Sequence, residues 1–492
     1  PLLIDRWKLE LGTIATDWSD FKEGIVENVQ NLVQVQTNLA QTVDATNLDR
    51  PMNLEVKGSG NCAFEGVFSY LRCVIGNVAI QAKDLIELPS IEGLVAQSDS
   101  GSSQKIKVGR YQIELLSPDL IPTASVEKNQ AVYKGEFYFQ AKMQKGEPKL
   151  FKISGYKILQ SSNTNTQGGD FPWKLVVFNQ KLYFSALNYQ GLSKLFVSDG
   201  QSVIQITDVF PGGNDYFSPV AVFNGELYLE GVNKKGQLKL FKLAQSKKIV
   251  QVSDTNPNGS DNPSDYKVFA GELYFRSNNM RGHSKLFKLN NEGMTQVSNL
   301  NPNNHDAPEF LEVFRGELFF SAYKEAEAGY KLHKTDGRVI TQVVSINKGM
   351  NDEPSDLKVY KDNLYFIALN KDGRRKLFKT DGIVATQVSN LQAGLSDFAQ
   401  NFREKKAFMT VYNDELFFVA KNSENAFKLF KTDGQHISQV SNLNKKEAKI
   451  NPTGSDFPFN LFVYADGLYF SAYGNEHGLK IYRLRSEVSK AE

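Results

Sequence analysis

The sequence repeats one motif eight times, and this repetition restricts the chain to folds built from copies of a single unit. The motif is GELYF or a close variant, and successive copies lie 45, 45, 46, 45, 46, 52 and 52 residues apart. The aromatic residue that follows the Leu or Phe of the motif is Tyr138, Tyr183, Tyr228, Tyr274, Phe319, Tyr365, Phe417 and Tyr469. A period of this length is typical of solenoids and β-propellers.

Each unit predicts four short strands. A Val-aromatic pair, as at Val268-Phe269, ends the first strand, and the LYFSA-like run forms the second. A KLFK run forms the third strand and a TQVSN-like run forms the fourth. A DG dipeptide separates these two, as at Asp381-Gly382, and DG favours the φ > 0 geometry of a tight hairpin. The Glu of GELYF and the second Lys of KLFK should pair between the second and third strands, as Glu226 with Lys242.

The count of strands distinguishes a closed ring from an open solenoid. The eighth unit stops after its third strand, whereas residues 111–117 (YQIELLS), before the first unit, resemble the missing fourth strand. An open solenoid requires no such exchange. We therefore predict an all-β fold in which residues 111–485 form an eight-bladed β-propeller, closed by the strand near 111–117 and followed by a tail at 486–492. A seven-bladed ring is the alternative.

The repeat resembles the ELWxxDGT family, in which GELYFSA, a short loop and ELWKTDGT recur in bacterial surface and secreted proteins. Residues 182–200 and 364–382 carry the resemblance, with Lys-Leu-Phe where the family has Glu-Leu-Trp and no Thr after DG. The resemblance implies a propeller of binding or structural type in an extracellular or cell-surface location.

Residues 1–50 contain the best helical pattern of the chain. Core positions of a heptad repeat are occupied by Trp18, Ile25, Val29, Leu32, Gln36, Leu39 and Val43. This pattern predicts a short coiled coil with one polar layer, which would make the protein a homo-oligomer. A single amphipathic helix packed on its own propeller is the alternative.

Residues 51–110 predict a small β-rich linker domain, because residues 53–57 and 105–108 alternate in the manner of strands. Cys62 and Cys73 lie within it. They can form a disulfide in an oxidising compartment or remain two buried thiols.

An Asp recurs in the loop that enters the blades and is the most regular polar feature of the sequence. Its copies are Asp170, Asp215, Asp261, Asp306, Asp352 and Asp456. A ring of carboxylates would attract cations or hydroxyl-rich ligands, so Ca²⁺ is the one cofactor left open. The alternative, which one identical Asp per blade favours, is a turn that the Asp side chain caps.

Two loops lengthen the last intervals, and they carry Arg403, Lys405, Lys406, Lys445 and Lys446. Insertions of this kind often mark the binding face of a repeat protein, and they predict a protein or glycan partner. Neutral variation of exposed loops is the alternative. A Lys that opens each KLFK run, as at Lys239, is predicted to be a solvated strand end.

Composition narrows the function classes. The 57 Lys and Arg residues nearly balance 55 Asp and Glu, which argues against nucleic-acid binding by bulk charge. No apolar run is long enough to span a membrane, and the five His show no metal-binding or catalytic spacing. We therefore expect a non-enzymatic recognition or structural subunit, with a virion or tail-fibre subunit as the alternative. A hydrolase or lyase would require an asymmetric cluster of acid, base or metal-binding residues in the propeller mouth. The sequence pattern shows no such cluster, so this class is disfavoured.

Overall fold

The computed structural model describes residues 55–62, 74–80, 95–97, 103–105, 111–117, 119–123, 129–155, 157–244, 248–343, 345–399, 408–441, 454–474 and 478–486. In these ranges the regular structure is β-strand, apart from one 3-10 turn at Glu325–Glu327. The predicted helix of residues 1–50 lies outside the described residues, as does Cys73 of the predicted disulfide.

The region before the propeller contains one four-stranded sheet. Its strands are β1 (Glu55–Cys62), β2 (Val74–Ile80), β3 (Val95–Gln97) and β4 (Ser103–Lys105), in the order β1-β2-β3-β4. The first two pairings are parallel and the last is antiparallel.

Eight further sheets form the blades, so the prediction of an eight-bladed β-propeller is confirmed and the seven-bladed alternative is excluded. Blade 1 has its first strand in two pieces, β6 (Leu120–Pro122) and β7 (Gln130–Tyr133), followed by β8 (Glu136–Met143), β9 (Lys149–Ser154) and β10 (Lys157–Gln160). Blade 2 consists of β11 (Trp173–Phe178), β12 (Lys181–Leu187), β13 (Ser193–Ser198) and β14 (Val203–Gln205). Blade 3 consists of β15 (Ser218–Phe223), β16 (Glu226–Val232), β17 (Leu238–Leu243) and β18 (Ile249–Gln251). Blade 4 consists of β19 (Ser264–Phe269), β20 (Glu272–Asn278), β21 (Ser284–Asn290) and β22 (Gly293–Gln296).

The remaining blades repeat this antiparallel order. Blade 5 consists of β23 (Glu309–Phe314), β24 (Glu317–Lys324), β25 (Gly329–Thr335) and β26 (Ile340–Gln342). Blade 6 consists of β27 (Ser355–Tyr360), β28 (Asn363–Leu369), β29 (Arg375–Thr380) and β30 (Ala385–Gln387). Blade 7 consists of β31 (Met409–Tyr412), β32 (Glu415–Lys421), β33 (Phe427–Thr432) and β34 (Ile437–Gln439). Blade 8 consists of β35 (Phe459–Tyr464), β36 (Gly467–Gly474), β37 (Gly478–Ser486) and β5 (Tyr111–Leu115).

The core lies between blades, because both faces of each sheet carry apolar side chains. Tyr138 and Leu150 of blade 1, for example, pack with Leu182 and Phe184 of blade 2 in one buried cluster. Residues of blade 8 and blade 1 share another cluster, in which the ring centroids of Phe137 and Phe462 are 4.7 Å apart. Packing therefore continues across the junction between the last blade and the first.

The predicted pairing of Glu and Lys between second and third strands occurs in five blades, with N–O distances of 2.7–2.9 Å. The pairs are Glu136–Lys152, Glu226–Lys242, Glu272–Lys288, Glu317–Lys334 and Glu415–Lys431. The partners are diagonal neighbours: Lys242 lies directly opposite Tyr228, two residues beyond Glu226. These half-exposed pairs support the strand register.

The first strands of consecutive blades contact one another, which places them around the central axis. Their pairing with the second strand shifts near the start in blades 2–6 and 8, as between Ser264 and Lys267. Residues of positive φ occur at these shifts, including Lys174 and Asp265. A β-bulge changes the direction of the side chains beside it, so the shifts alter which side chains the inner edge presents toward the axis.

We call the end of the propeller that carries the loops into the first strands and the turns between second and third strands the entry face. In the described part of the chain, no helix is long and apolar enough to cross a membrane.

Candidate functional site

The six Asp residues predicted to form a ligand ring are buried, each at 0–1% exposure. Asp261 shows the pattern: its carboxylate is 2.9 Å from Lys239 Nζ and accepts a 2.6 Å hydrogen bond from Ser253 Oγ. Lys239 Nζ also donates to the Asn256 carbonyl at 2.8 Å. The equivalent ion pairs, at 2.7–3.1 Å, are Lys149–Asp170, Lys194–Asp215, Lys285–Asp306, Lys331–Asp352 and Lys428–Asp456.

The backbone of the same Asp joins consecutive blades. Asp261 N–H donates to the Leu238 carbonyl at the start of β17 in blade 3, and its carbonyl accepts from Asn278 N–H at the end of β20 in blade 4. Side chain and backbone together therefore fasten the loop between two blades. Ligand binding by these carboxylates remains a prediction from the sequence.

The Lys that opens each KLFK run lies in a different environment from the one that the sequence predicted. These residues were predicted to be solvated strand ends, but the side chains of Lys194, Lys239, Lys285, Lys331, Lys376, Lys428 and Lys480 are buried. A buried ammonium requires a paired anion, and Asp397 supplies the partner of Lys376 at 2.8 Å. The sequence reading missed Asp397, because the longer interval after it obscured its place in the repeat.

Burial raises the pKa of two of these carboxyls. It raises the pKa of Asp352 above its ordinary value, against the lowering effect of the Asn347 N–H and Lys331. It raises the pKa of Asp456 to about 7, opposed by Ser441 and Lys428. Desolvation outweighs the nearby ammonium in both cases.

The predicted partner-binding residues Arg403, Lys405, Lys406, Lys445 and Lys446 lie outside the described residues. So do the predicted oligomerisation residues, which are Trp18, Ile25, Val29, Leu32, Gln36, Leu39 and Val43.

A set of acidic, basic and phenolic side chains gathers on blades 2–5, where the first two strands approach the entry face. We call it the inner-edge cluster, and it consists of Lys174, Glu230, Tyr266, Lys267, Arg276, Glu309 and Glu312. The repeat symmetry is broken there. The position of Glu230 and Arg276 in their blades is occupied elsewhere by Gln140, Ser185, Ser321, Ile367, Val419 and Ser471.

Glu230 occupies one part of the inner-edge cluster and links three blades. It forms an ion pair with Lys174 of blade 2, and both side chains are partly exposed. Burial raises the pKa of Tyr266 well above its ordinary value, and the negative charge of Glu230 raises it further. The Tyr266 hydroxyl therefore stays protonated beside a carboxylate that solvent can reach.

Arg276 occupies another part of the cluster. Its Nε donates to Ser284 Oγ at 2.7 Å, and its Nη1 donates to Glu309 Oε1 at 2.8 Å. The guanidinium is held in place but remains 29% exposed. Lys267 and Glu312 form a further ion pair between blades 4 and 5, at 2.9 Å.

Two histidines adjoin Arg276 through Ser284. Ser284 N–H donates to His305 Nδ1 at 3.0 Å, which leaves Nε2 to carry the proton of the neutral ring. Burial lowers the pKa of His305, and the neighbouring His283 and Arg276 lower it further. The ring centroids of His283 and His305 are 5.3 Å apart.

The side chains of the inner-edge cluster include the groups that acid–base chemistry uses: a carboxylate that solvent reaches, a protonated hydroxyl and a guanidinium fixed by hydrogen bonds. Within the described ranges, no three His, Cys, Asp or Glu side chains are placed to hold a metal ion together. Sequence reasoning missed the inner-edge cluster because it searched for residues that recur. The signal that would have found it is the opposite one, namely charged residues at positions where other blades carry neutral ones.

Comparisons with known proteins give a likeness of fold. No family model and no curated protein matches the sequence. A solved prolyl endopeptidase matches 74% of this chain and 55% of its own, with 11% identity and a TM-score of 0.45. A puromycin-hydrolyzing peptidase of Mycobacterium tuberculosis matches 73% and 58%, with 9% identity and a TM-score of 0.42. The β-propeller domain of the Trilobed protease from Pyrococcus furiosus matches 64% and 96%, with 9% identity and a TM-score of 0.39.

The chain thus spans a little over half the length of the two peptidases that it matches. These neighbours contradict the expectation of a non-enzymatic recognition or structural subunit, because the solved propellers belong to peptidases. We therefore withdraw that expectation. At this level of identity the likeness itself concerns the fold alone.

Proposed function

We propose that this chain is a hydrolase whose reacting groups belong to the inner-edge cluster. One observation carries the proposal: the cluster is the asymmetric set of acid and base groups in the propeller mouth that an enzyme of this fold would require. Glu230, Tyr266 and Arg276 each occupy a position that lacks such a group in most other blades.

The roles follow from the contacts. Glu230 accepts a proton from a water molecule as the water oxygen adds to the electrophilic centre of the substrate. Arg276, held by Ser284 and Glu309, stabilises the negative charge that develops there. Glu230 then returns the proton to the leaving group as the scissile bond breaks. The ion pair with Lys174 fixes the orientation of the Glu230 carboxylate.

The first substrates to test are peptides, because the solved propellers of similar fold belong to peptidases. Chromogenic esters and glycosides provide two further classes with different scissile bonds. We expect turnover of at least one class by the purified full chain.

The decisive comparison uses two isosteric variants of the same strand. Glu230→Gln should lower kcat/KM by about 100-fold or more, the usual contribution of a general acid–base group. Glu226→Gln, at the opposite end of β16, removes the exposed ion pair with Lys242 and should leave kcat/KM within about twofold. Turnover of no class, or equal losses in the two variants, would contradict the proposal.

A further inference from the structure

Blade 6 carries a cleft on the entry face with a volume of about 460 Å³. Such a volume lies within the range of about 300–1,000 Å³ that ligand sites occupy. The cleft is formed by the turn between β28 and β29 together with the outer strand β30. Its lining includes Asn370, Lys371, Arg374, Phe378, Gln387 and Asn390.

The turn that supplies the basic residues is fixed by hydrogen bonds. Asn370 Oδ1 accepts from the N–H groups of Asp372 and Arg374, at 3.0 and 2.9 Å. Gly373 N–H donates to the Asn370 carbonyl at 2.9 Å, and its φ of 68° suits glycine. The side chains of Lys371 and Arg374 therefore extend from a preorganised backbone, which lowers the conformational entropy lost on binding.

The two cationic side chains of this turn have no anionic partner in the described part of the chain. Lys371 and Arg374 are exposed, and neither side chain forms an ion pair with any residue in the described part of the chain. Lys376, deeper in the cleft, is already paired with Asp397. Asp372 is the acidic residue of the lining, so the two basic side chains leave an excess of positive charge.

The other groups that line the cleft indicate which chemical groups a ligand would carry beside its anion. The amides of Asn370, Gln387 and Asn390 already form internal hydrogen bonds: Gln387 Nε2 donates to the Ser389 carbonyl and Asn390 Oδ1 accepts from Lys376 Nζ. Each NH₂ group has two N–H donors, so these amides keep N–H groups that a carboxylate or a peptide carbonyl of the ligand can accept from. Phe378 supplies an apolar floor. A chain of peptide groups bearing carboxylates matches this combination of amides, cations and aromatic surface.

We infer that the blade 6 cleft binds an acidic segment of polypeptide and thereby selects the substrate of the proposed hydrolase. This inference rests on the proposed function, and it names acidic polypeptides as the substrate class. The cleft and the inner-edge cluster both lie toward the entry face of the propeller.

The test measures binding separately from turnover. Fluorescence anisotropy of a labelled ten-residue Glu-Gly peptide is recorded with the full-length Glu230→Gln protein, which should not cleave it. A Lys-Gly peptide of equal length is the ligand control. We expect the acidic peptide to bind at least tenfold more tightly, with an affinity that falls as salt rises.

The matched variants exploit the repeat. Lys371→Glu/Arg374→Glu should weaken binding of the acidic peptide at least tenfold. Lys234→Glu/Lys235→Glu makes the same change of charge in the equivalent turn of blade 3 and should alter binding less than twofold. Equal weakening by both pairs, or equal binding of the acidic and basic peptides, would overturn the inference.

Inorganic phosphate and a phosphoserine peptide distinguish the source of the anion. Weak competition by phosphate is expected for a carboxylate site, whereas preferred binding of the phosphopeptide would overturn the choice of an acidic segment. Binding without any turnover by the native chain would remove the hydrolase proposal and leave the cleft as a binding site. Turnover with unchanged binding in the Lys371→Glu/Arg374→Glu variant would remove the inference alone.

Discussion

Arg483 Nη2 lies 2.6 Å from Glu114 Oε2, although the two residues are 369 positions apart in the sequence. They belong to β37 and β5, the third and fourth strands of blade 8. Leu116 N–H adds a 3.0 Å hydrogen bond to the Ile481 carbonyl nearby. The ring is therefore closed by a strand from one end of the propeller sequence that completes the sheet formed by the other end.

Reversing one charge of this pair should weaken the closure. We expect Glu114→Arg to lower the free energy of unfolding by about 1–2 kcal/mol, because it places two cations together at a partly buried site. Urea denaturation measures the change. The double variant Glu114→Arg/Arg483→Glu restores opposite charges and should recover at least half of the loss; no recovery would show that the pair does not couple the two strands.

The buried lysines should be far more sensitive than the exposed ones. Lys239→Met leaves the Asp261 carboxylate buried without its ammonium, and we expect a loss of about 3–5 kcal/mol. Lys242→Met, three residues on in the same strand, removes a partly exposed pair and should cost at most about 1 kcal/mol. Chemical denaturation of the two variants compares them directly, and equal losses would contradict the role given to the Lys–Asp pairs.

Blade 3 contains a complementary exchange of a large and a small residue. A Cβ atom at Gly231 would lie 2.2 Å from the Phe217 ring, and most other blades carry Ala at this position, as at Ala186 and Ala322. Gly231→Ala should therefore destabilise the protein by about 1–3 kcal/mol through overpacking.

The second site provides the check on this prediction. Phe217 occupies the position of Pro263 and Pro308 in the next two blades. In the Phe217→Pro background, Gly231→Ala should cost less than in the native chain. A cost independent of residue 217 in thermal denaturation would argue against the steric explanation.

His333 should make stability depend on pH. It replaces the Phe of the KLF run and stacks near Phe320, with centroids 5.9 Å apart. Burial lowers its pKa to about 4, whereas the unfolded chain titrates near about 6.5. The folded state therefore binds fewer protons between these values, so stability is complete above pH 6.5 and falls as pH decreases toward 4.

Removing the histidine should remove this contribution. His333→Phe restores the residue of the other repeats and should flatten the stability profile between pH 6.5 and 4 by up to about 3 kcal/mol. Urea unfolding at several pH values measures it. His436→Phe, at a well-exposed position, serves as the control, and an unchanged slope in His333→Phe would contradict the assignment.

Repetition explains why the fold was accessible from sequence and the site was not. Pairing within a blade depends on neighbours such as Glu226 and Lys242, which recur in most units, so strand order and blade number followed from the pattern. The burial of Lys239 did not follow from the pattern. A lysine beside a Leu-Phe run has the same local sequence whether its ammonium is buried against an Asp 22 residues away or is solvated by water. The contact of Lys174 with Glu230 spans 56 residues and occurs once, so no periodic signal marks it.

Each Lys–Asp pair also bears on how such a ring can grow. The ammonium lies in the third strand of one blade, and its carboxylate lies 21 or 22 residues later in most pairs, within a single repeat. A gene duplication that copies one repeat therefore copies both partners of the Lys–Asp pair that joins consecutive blades. The copied repeat can pack against the next blade without any change in its neighbours. Copy number is then limited by closure alone, and a single strand at residues 111–115 decides where the series ends.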